Sequence, residues 1–334
     1  MSSWYNDNTG AGGIAVSTRI RLARNLPGIP FPAGMSNSER VRLNETVKAA
    51  IETSNTPFSK NLKYIDMLSV PENEAAAMAA RHIISPEFAE DTRPRAVILS
   101  DDESISIMVG EEDHVRIQVI TGGMNLGAAY DTACLIDDLL YGTLHFAFDK
   151  KLGFLTACPT NLGTGLRASV MLHLPVCESS GEIPALSDAV SKIGFTVRGI
   201  YGEGSRSAAA MYQVSNQITL GISEKNAIGN LEIITSQLMQ KETEKRAELN
   251  RIQLEDMCFR ALGILENCRI LKNSEMMNLL SAIKLGIDMG IIDKKINPVR
   301  LMIEGQPNML VKKYGIMKPD EEPIYRAGFI RENL

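Results

Sequence analysis

The sequence predicts an α+β protein, a mainly antiparallel sheet flanked by helices and followed by a small C-terminal helical domain. Three observations carry that expectation. Short runs that alternate apolar and polar residues are interspersed with helical stretches in no regular strand–helix–strand rhythm, which argues for antiparallel pairing. From about Arg246 the strand-like runs stop, and methionine, leucine and isoleucine stripes at helical spacing take over. At 334 residues, with 44% hydrophobic and 22% charged content, the chain is long enough for one large core and a smaller second one. The expected division is residues 14–240 and 246–334.

Residues 1–13 are polar and glycine-rich and read as a loose tail. Ile14–Asn25 starts with strand alternation and carries Arg19, Arg21 and Arg24; arginines so close either solvate on an exposed face or clamp an anion. Ser36 or Ser38 caps a helix reaching about Thr53, with Glu39 in its first turn. Leu62–Leu68 reads as a strand, and an alanine-rich helix from Glu72 ends at the residue before Pro86. His82, near that end, is on local grounds a packed helix-end histidine. Ala96–Leu99 and Ile105–Val109 form a hairpin around the acidic turn Ser100–Glu103. The second strand is expected to run on through Gly110–Ile120. Alternation then puts Glu112, His114 and Arg116 on one face, with Glu111, Asp113 and Val115 on the other.

A helix follows over about Asn125–Tyr141, then a helix over Ala185–Ile193 and a strand at Thr196–Gly199. The loop Gly199–Arg206 has three glycines and suits a segment that folds over a ligand. Tyr212–Gly221 alternates like a strand, and Glu224–Glu255 reads as one long helix. Beyond it, the stripes Leu254–Leu265, Ser274–Gly286 and Pro298–Glu304 suit a bundle core or interface, with a polar tail after Lys318.

The stretch Cys158–Ser169 reads as the loop into which the β-like run Phe154–Ala157 leads, punctuated by Pro159, Gly163 and Gly165. A cysteine heading such a loop, with Arg167 behind it, suits an anionic ligand and a polar reacting group. On local physics the same stretch is equally a tight turn with a half-buried thiol. A formal net charge of −5 gives no overall basic face for nucleic acid. The five cysteines (Cys134, Cys158, Cys177, Cys258, Cys268) are odd in number and include no CxxC pair. That argues against a disulfide framework or structural zinc and suits a reducing cytoplasm. No apolar signal core opens the chain and no run nears the roughly 20 apolar residues that span a bilayer, so a soluble, cytoplasmic protein is expected.

In chain order, the motifs STRIR (Ser17–Arg21), GEEDHVR (Gly110–Arg116), CPTNLGTGLRAS (Cys158–Ser169), RGIYGEG (Arg198–Gly204) and SNQITLG (Ser215–Gly221) resemble the catalytic domain of the ATP:guanido phosphotransferases, the family of creatine and arginine kinases. The start of the motifs near residue 14, the helical C-terminal segment, and LRASVM, YGEGS and IQLED resemble its bacterial protein-arginine kinase branch more closely. The resemblance implies a phosphagen-kinase fold for residues 14–240. It also implies transfer of the γ-phosphoryl group of ATP, delivered with Mg²⁺, to arginine side chains of proteins.

By the same resemblance Arg19, Arg21, Arg116, Arg167 and Arg198 surround the ATP phosphates, with His82 near the nucleoside. Ser17, Thr18, Ala168, Ser169, Tyr201 and Glu203 complete the implied nucleotide site. Glu112 is implied to orient the acceptor guanidinium and take its proton, and Cys158, as a thiolate, to steer another guanidinium nitrogen; no protein ligand for the metal is implied. Implied partners are protein substrates with exposed arginine, a zinc-binding activator protein and Clp-type protease machinery in a stress response, with homodimerisation through the helical domain.

Two positions depart from the pattern. Arg206 stands where the family has a second glutamate after the GEGS-like turn, with Glu203 three residues earlier. Glu322–Ala327 keeps Arg326 and Ala327 of a phosphoarginine-sensing pocket without its first basic–acidic pair. Two other readings therefore stay open: a kinase of small guanidino substrates, and a catalytically impaired regulator that binds nucleotide or phosphoarginine.

Overall fold

The computed structural model describes residues 3–6, 13–54, 59–200 and 207–334. Strand β1 (Ala15–Arg24) is followed by α1 (Asn37–Thr53), β2 (Leu62–Asp66), α2 (Glu72–Ala80), α3 (Pro86–Glu90), β3 (Ala96–Ser100), β4 (Ile105–Val109) and β5 (Val115–Gly122). Next come α4 (Leu126–Leu144), a small ribbon of β6 (Phe148–Asp149) and β7 (Gly153–Phe154), β8 (Leu166–His173), α5 (Pro175–Ser179), α6 (Ile183–Ser191), β9 (Phe195–Gly199), β10 (Met211–Asn216) and α7 (Glu224–Ala247). The remainder is helical: α8 (Arg251–Asn267), α9 (Asn273–Asp288), α10 (Pro298–Glu304), α11 (Pro307–Tyr314) and α12 (Glu322–Asn333).

The described residues form one eight-stranded sheet in the order β2-β3-β4-β5-β1-β8-β10-β9, antiparallel at every pairing. Strand alternation then divides the chemistry. On β1, Ile20 and Leu22 are fully buried and join a core with Leu43 and Val47 of α1, Ala133 and Ile136 of α4, and Leu231 and Ile234 of α7. Ser17, Arg19 and Arg21 have the other parity and stand on the opposite face. Register stacks like with like there: Arg21 lies between Gln118 and Arg167, Arg19 pairs with Ser169, and Gln213 pairs with Arg198. On the β3–β4 half that face is covered by a smaller cluster including Met78, Phe88 and Met108; its central strands are left polar.

Helix α1 starts with a full capping box, Ser36 accepting from the Glu39 amide and Glu39 from the Ser36 amide. Several expected elements change. The strand expected through Gly110–Ile120 is broken at 110–114 by a turn that Gly110 opens at φ +79°. Helix α2 stops at Ala80, ahead of His82 in the left-handed region at φ 62°, so the helix does not reach Pro86. The long helix expected over Glu224–Glu255 is two, because the Asn250 side chain caps a fresh start at Arg251 by accepting from the Gln253 amide. The tail expected after Lys318 is instead helix α12, anchored by buried Arg326, Ala327, Phe329 and Ile330. Trp4 and Tyr5, placed in a loose tail by composition, are buried against the C-terminal helices. Among the described residues no helix is long and apolar enough to cross a membrane.

The C-terminal helices pack around Met276, Leu280, Leu301 and Leu310. A buried ionic knot joins them to the sheet. Lys284 of α9 donates to the Gly13 carbonyl just before β1 and pairs with Asp288 at 3.0 Å. Arg246 bridges Asp288, Glu242 and the His173 carbonyl, while the His173 ring meets the Ser281 hydroxyl at 2.8 Å. Burial, reinforced by Lys284 and Arg246, pushes the His173 imidazole well below its ordinary value of 6.5.

The folded state therefore holds His173 neutral, whereas the unfolded chain takes up a proton below about pH 6.5. This site's contribution is fully present above that pH and is lost as pH falls, at about 1.4 kcal/mol per pH unit. Urea denaturation at about pH 7 and about pH 5.5 should show the loss. In His173→Gln the drop should be smaller by about 1 kcal/mol; an unchanged drop would exclude this assignment.

Candidate active site

The polar face of the central strands floors a cavity of about 1140 Å³, into which Arg19, Arg21, Arg116, Arg167 and Arg198 converge from β1, β5, β8 and β9. Arg19 donates to the Gln213 side chain at 2.9 Å. Arg116 pairs with both Glu111 and Glu112, the second at 3.0 Å. Burial, then repulsion from Arg19, Arg116 and Arg167, holds the Arg21 guanidinium well below its ordinary range; its Nε is buried with no hydrogen-bond partner among the described residues. Burial and Arg198 lower Arg167 in the same direction. Cations that depress one another at one floor make a site for a polyanion.

The acidic turn and the thiol line the same cavity. Glu111 is nearly buried, bonded by Ser85 and Arg116, whereas Glu112 reaches the mouth with its side chain 47% exposed. Alternation had put these two acids on opposite faces; the turn at 110–114 brings both to Arg116. It also sends His114 inward, away from Glu112. The His114 Nδ1 accepts from the Leu26 amide at 2.9 Å and its Nε2 lies 2.7 Å from the Pro30 carbonyl, so Nε2 carries the proton.

Cys158 is half-buried with Sγ 3.0 Å from the Thr160 hydroxyl, at the head of a short 3₁₀ turn rather than at the end of a longer strand. Its loop is pinned from behind. Thr219 donates to the carbonyls of Thr160 and Leu162, and Gly165, at φ +64°, leaves no room for a Cβ beside the Ala23 carbonyl and Arg24. Arg24, the third arginine of the β1 run, belongs to this support. It is buried, pairs with Asp137 at 2.8 Å and donates to the Thr164 carbonyl.

A second, smaller cavity of about 310 Å³ opens beside the arginines, lined by Ser17, His82, Ser169, Met171 and Gly199 among others. Burial, with Arg19 adding to it, pushes His82 down to about 3, so its ring is neutral at working pH. Trp4 donates to the Arg81 carbonyl, and its ring centroid lies 6.3 Å from that of His82. Thr18 and Ala168, expected in the nucleotide site, have core-facing parity. The Thr18 hydroxyl binds Gly123 and the Asn125 amide, and the Ala168 amide binds Asn216. Neither lines these two cavities: Thr18 lies on the core-facing side of β1, and Ala168 is paired with buried Ile20 of that strand. Tyr201, Glu203 and Arg206 lie outside the described residues. Glu111 and Gln213 were not anticipated as site residues; for Gln213 the signal was a polar side chain opposite Arg198 in an alternating strand.

A sheet floor of arginines with paired carboxylates and a thiol in one cavity has the chemistry that a phosphotransferase acting on a guanidinium needs. Residues 42–245 match the family described as ATP:guanido phosphotransferase, C-terminal catalytic domain, and residues 251–334 match the Protein-arginine kinase McsB C-terminal domain. The chain belongs to the ATP:guanido phosphotransferase family. It is 42% identical to the protein-arginine kinase of Clostridium acetobutylicum, covering 100% of both chains, and 44% identical to that of Clostridium kluyveri, covering 100% of this chain and 97% of the relative. Among solved structures it superposes on the duplicated taurocyamine kinase of Schistosoma mansoni with a TM-score of 0.64 at 22% identity, over 96% of this chain and 43% of that one. A lombricine kinase structure gives 0.61 at 22% identity, over 75% and 73% of the two chains. At that identity the likeness shows the shared fold.

Proposed function

We propose that this chain is an ATP-dependent protein-arginine kinase. The observation that carries the reading is a single cavity holding five arginines, the Glu111–Glu112 pair and Cys158. Phosphoryl transfer asks for positioning and charge neutralisation more than for covalent chemistry, and planar guanidinium forks suit phosphate oxygens. Arg19, Arg21, Arg116, Arg167 and Arg198 hold the triphosphate. Ser17, Ser169 and neutral His82 wall the adjoining nucleoside cavity. Mg²⁺ travels with the nucleotide and neutralises phosphate charge; no protein ligand is assigned to it.

The acceptor is a guanidinium, a poor nucleophile while protonated because its pKa lies above about 12. Glu112 hydrogen-bonds one guanidinium nitrogen and takes its proton as the N–P bond forms and the bond from the γ-phosphorus to the bridging oxygen breaks. Cys158 steers a second nitrogen. Glu87, Glu90 and Asp91 line the same cavity and favour a cationic acceptor. The test is incubation with ATP, Mg²⁺ and an arginine-rich protein, followed by mass spectrometry for acid-labile phosphoarginine. Transfer to free arginine but not to the protein would favour the small-substrate reading.

Arg206 supports a second reading, an impaired regulator that binds nucleotide without turnover. That reading predicts ATP binding by calorimetry, no phosphoarginine, and transfer restored in Arg206→Glu. In the favoured reading the chain works in the cytoplasm in protein quality control under stress, with a zinc-binding activator and Clp-type protease machinery as partners. Residues 14–240 form the catalytic unit, and residues 246–334 serve dimerisation.

Nucleotide binding has a built-in reporter. Trp4 is the one tryptophan in the sequence and packs beside His82. Titration with ATP should change its emission, and His82→Ala should remove most of that response; an emission silent to saturating ATP would place the nucleoside elsewhere.

A further inference from the structure

The acidic turn and the thiol loop, which line the same cavity, are tied together by one buried carboxylate that the chemistry above does not use. Asp113 follows Glu111 and Glu112 directly and is 0% exposed. Its Oδ1 accepts from the Ala157 amide at 2.7 Å, one residue before Cys158, and from the Asn25 side chain at 2.7 Å, one residue past the end of β1. Asn25 completes the tie. Its side chain also donates to the Leu155 carbonyl at 2.9 Å and accepts from the His114 amide at 2.8 Å, while its carbonyl accepts from the Ala147 amide. Three segments therefore meet at one pair of side chains: the end of the arginine strand, the acidic turn and the thiol loop.

We propose that Asp113, held by Asn25, is a positioning residue that sets the spacing between the Glu112 carboxylate and the Cys158 thiol. Neither Asp113 nor Asn25 lines the cavity. The acidic turn is closed by the Gly110 amide on the His114 carbonyl and the thiol loop is entered through the Leu155 amide on the Ala147 carbonyl, but residues 111–113 and 156–161 lie in no strand ladder. The Asp113 carboxylate supplies a bond between them, accepting from the part-buried Ala157 amide and the buried Asn25 side chain. The triphosphate side depends less on this tie, because its arginines stand on β1, β5, β8 and β9, whose register the ladders fix, and only Arg116 also pairs with the acidic turn. A displacement of about 1 Å between base and thiol is enough to cost about 10²-fold in turnover.

This inference rests on Glu112 and Cys158 acting on the acceptor, and the test separates the two claims. Asp113→Ala should lower kcat about 100-fold while the KM for ATP and the Trp4 response to ATP change less than about threefold. Asp113→Asn keeps an acceptor oxygen for both donors and should recover kcat to within about tenfold of the parent. Because removing a buried carboxylate can cost the fold itself, Asn25→Asp serves as an isosteric second probe. It replaces the donor to Asp113 by a carboxyl that donates only when protonated, so its kcat should rise as pH falls, opposite to the requirement for an ionised Glu112 in the parent. Equal losses in kcat and ATP affinity in Asp113→Ala, no rescue by Asp113→Asn, or a parent-like pH profile in Asn25→Asp would overturn the proposal. Full activity in Glu112→Gln would instead overturn the reading it rests on.

Discussion

Glu112→Gln will bind ATP with an affinity close to the parent and lose about 10³-fold in phosphoryl transfer to arginine. The substitution keeps the side chain's length and an oxygen for Arg116, which also retains its pair with Glu111. It removes the one property the reaction needs, a carboxylate basic enough to accept a proton from a guanidinium. Glu112 suits the role better than its neighbour because it stands at the mouth, whereas Glu111 is engaged by Ser85 and Arg116. Quantifying phosphoarginine under single-turnover conditions, with ATP affinity from the Trp4 titration, decides the matter. Loss of binding in parallel with turnover would mean that Glu112 organises the arginines instead of serving as base.

Arg21→Met is expected to do two opposite things. It should weaken ATP binding by about 10–100-fold, since a charge-assisted contact to phosphate contributes about 1.5–3 kcal/mol, and lower transfer further. It should also raise the thermal stability of the protein without nucleotide. Arg21 is squeezed by Arg19, Arg116 and Arg167 and carries a buried Nε with no partner among the described residues. Removing one cation from such a cluster relieves mutual repulsion and an unpartnered buried nitrogen, which favours the folded state. Calorimetry with and without ATP should therefore show a higher baseline melting temperature and a smaller shift on adding ATP. A lower baseline would mean that Arg21 holds the sheet together.

What could be read from the residues divides along physical lines. The arginine face of β1 was legible because period-two alternation in a buried sheet leaves polar residues only one face. The first helix was legible from its cap, and the hairpin over 96–109 from its acidic turn. The turn at 110–114 was not, because an acidic residue on every side of the expected alternation looks the same in a strand. Only Gly110, at the positive φ that opens the turn, marked the break. Asn250 could have marked the new helix at Arg251, but its cap competes with a continuous helical pattern on both sides. Helix α12 reads as a polar tail by composition, whereas Arg326 turns inward to Glu322 and the carbonyls of Gly305 and Leu271. Trp4 and Tyr5 are buried by helices distant in sequence, which no local pattern reveals.

The opposed parities of β1 bear on how this chain tolerates change. Ile20 and Leu22 answer to volume, and Arg19 and Arg21 answer to charge, so substitutions at the first pair should register chiefly in thermal melting and those at the second in nucleotide affinity as well. Loss of a single codon between Ser17 and Leu22 would not sort at all. It would carry guanidinium groups under α4 and hydrocarbon into the cavity in one step, so length variation in this decapeptide is closed to the lineage even where side-chain identity is free to drift.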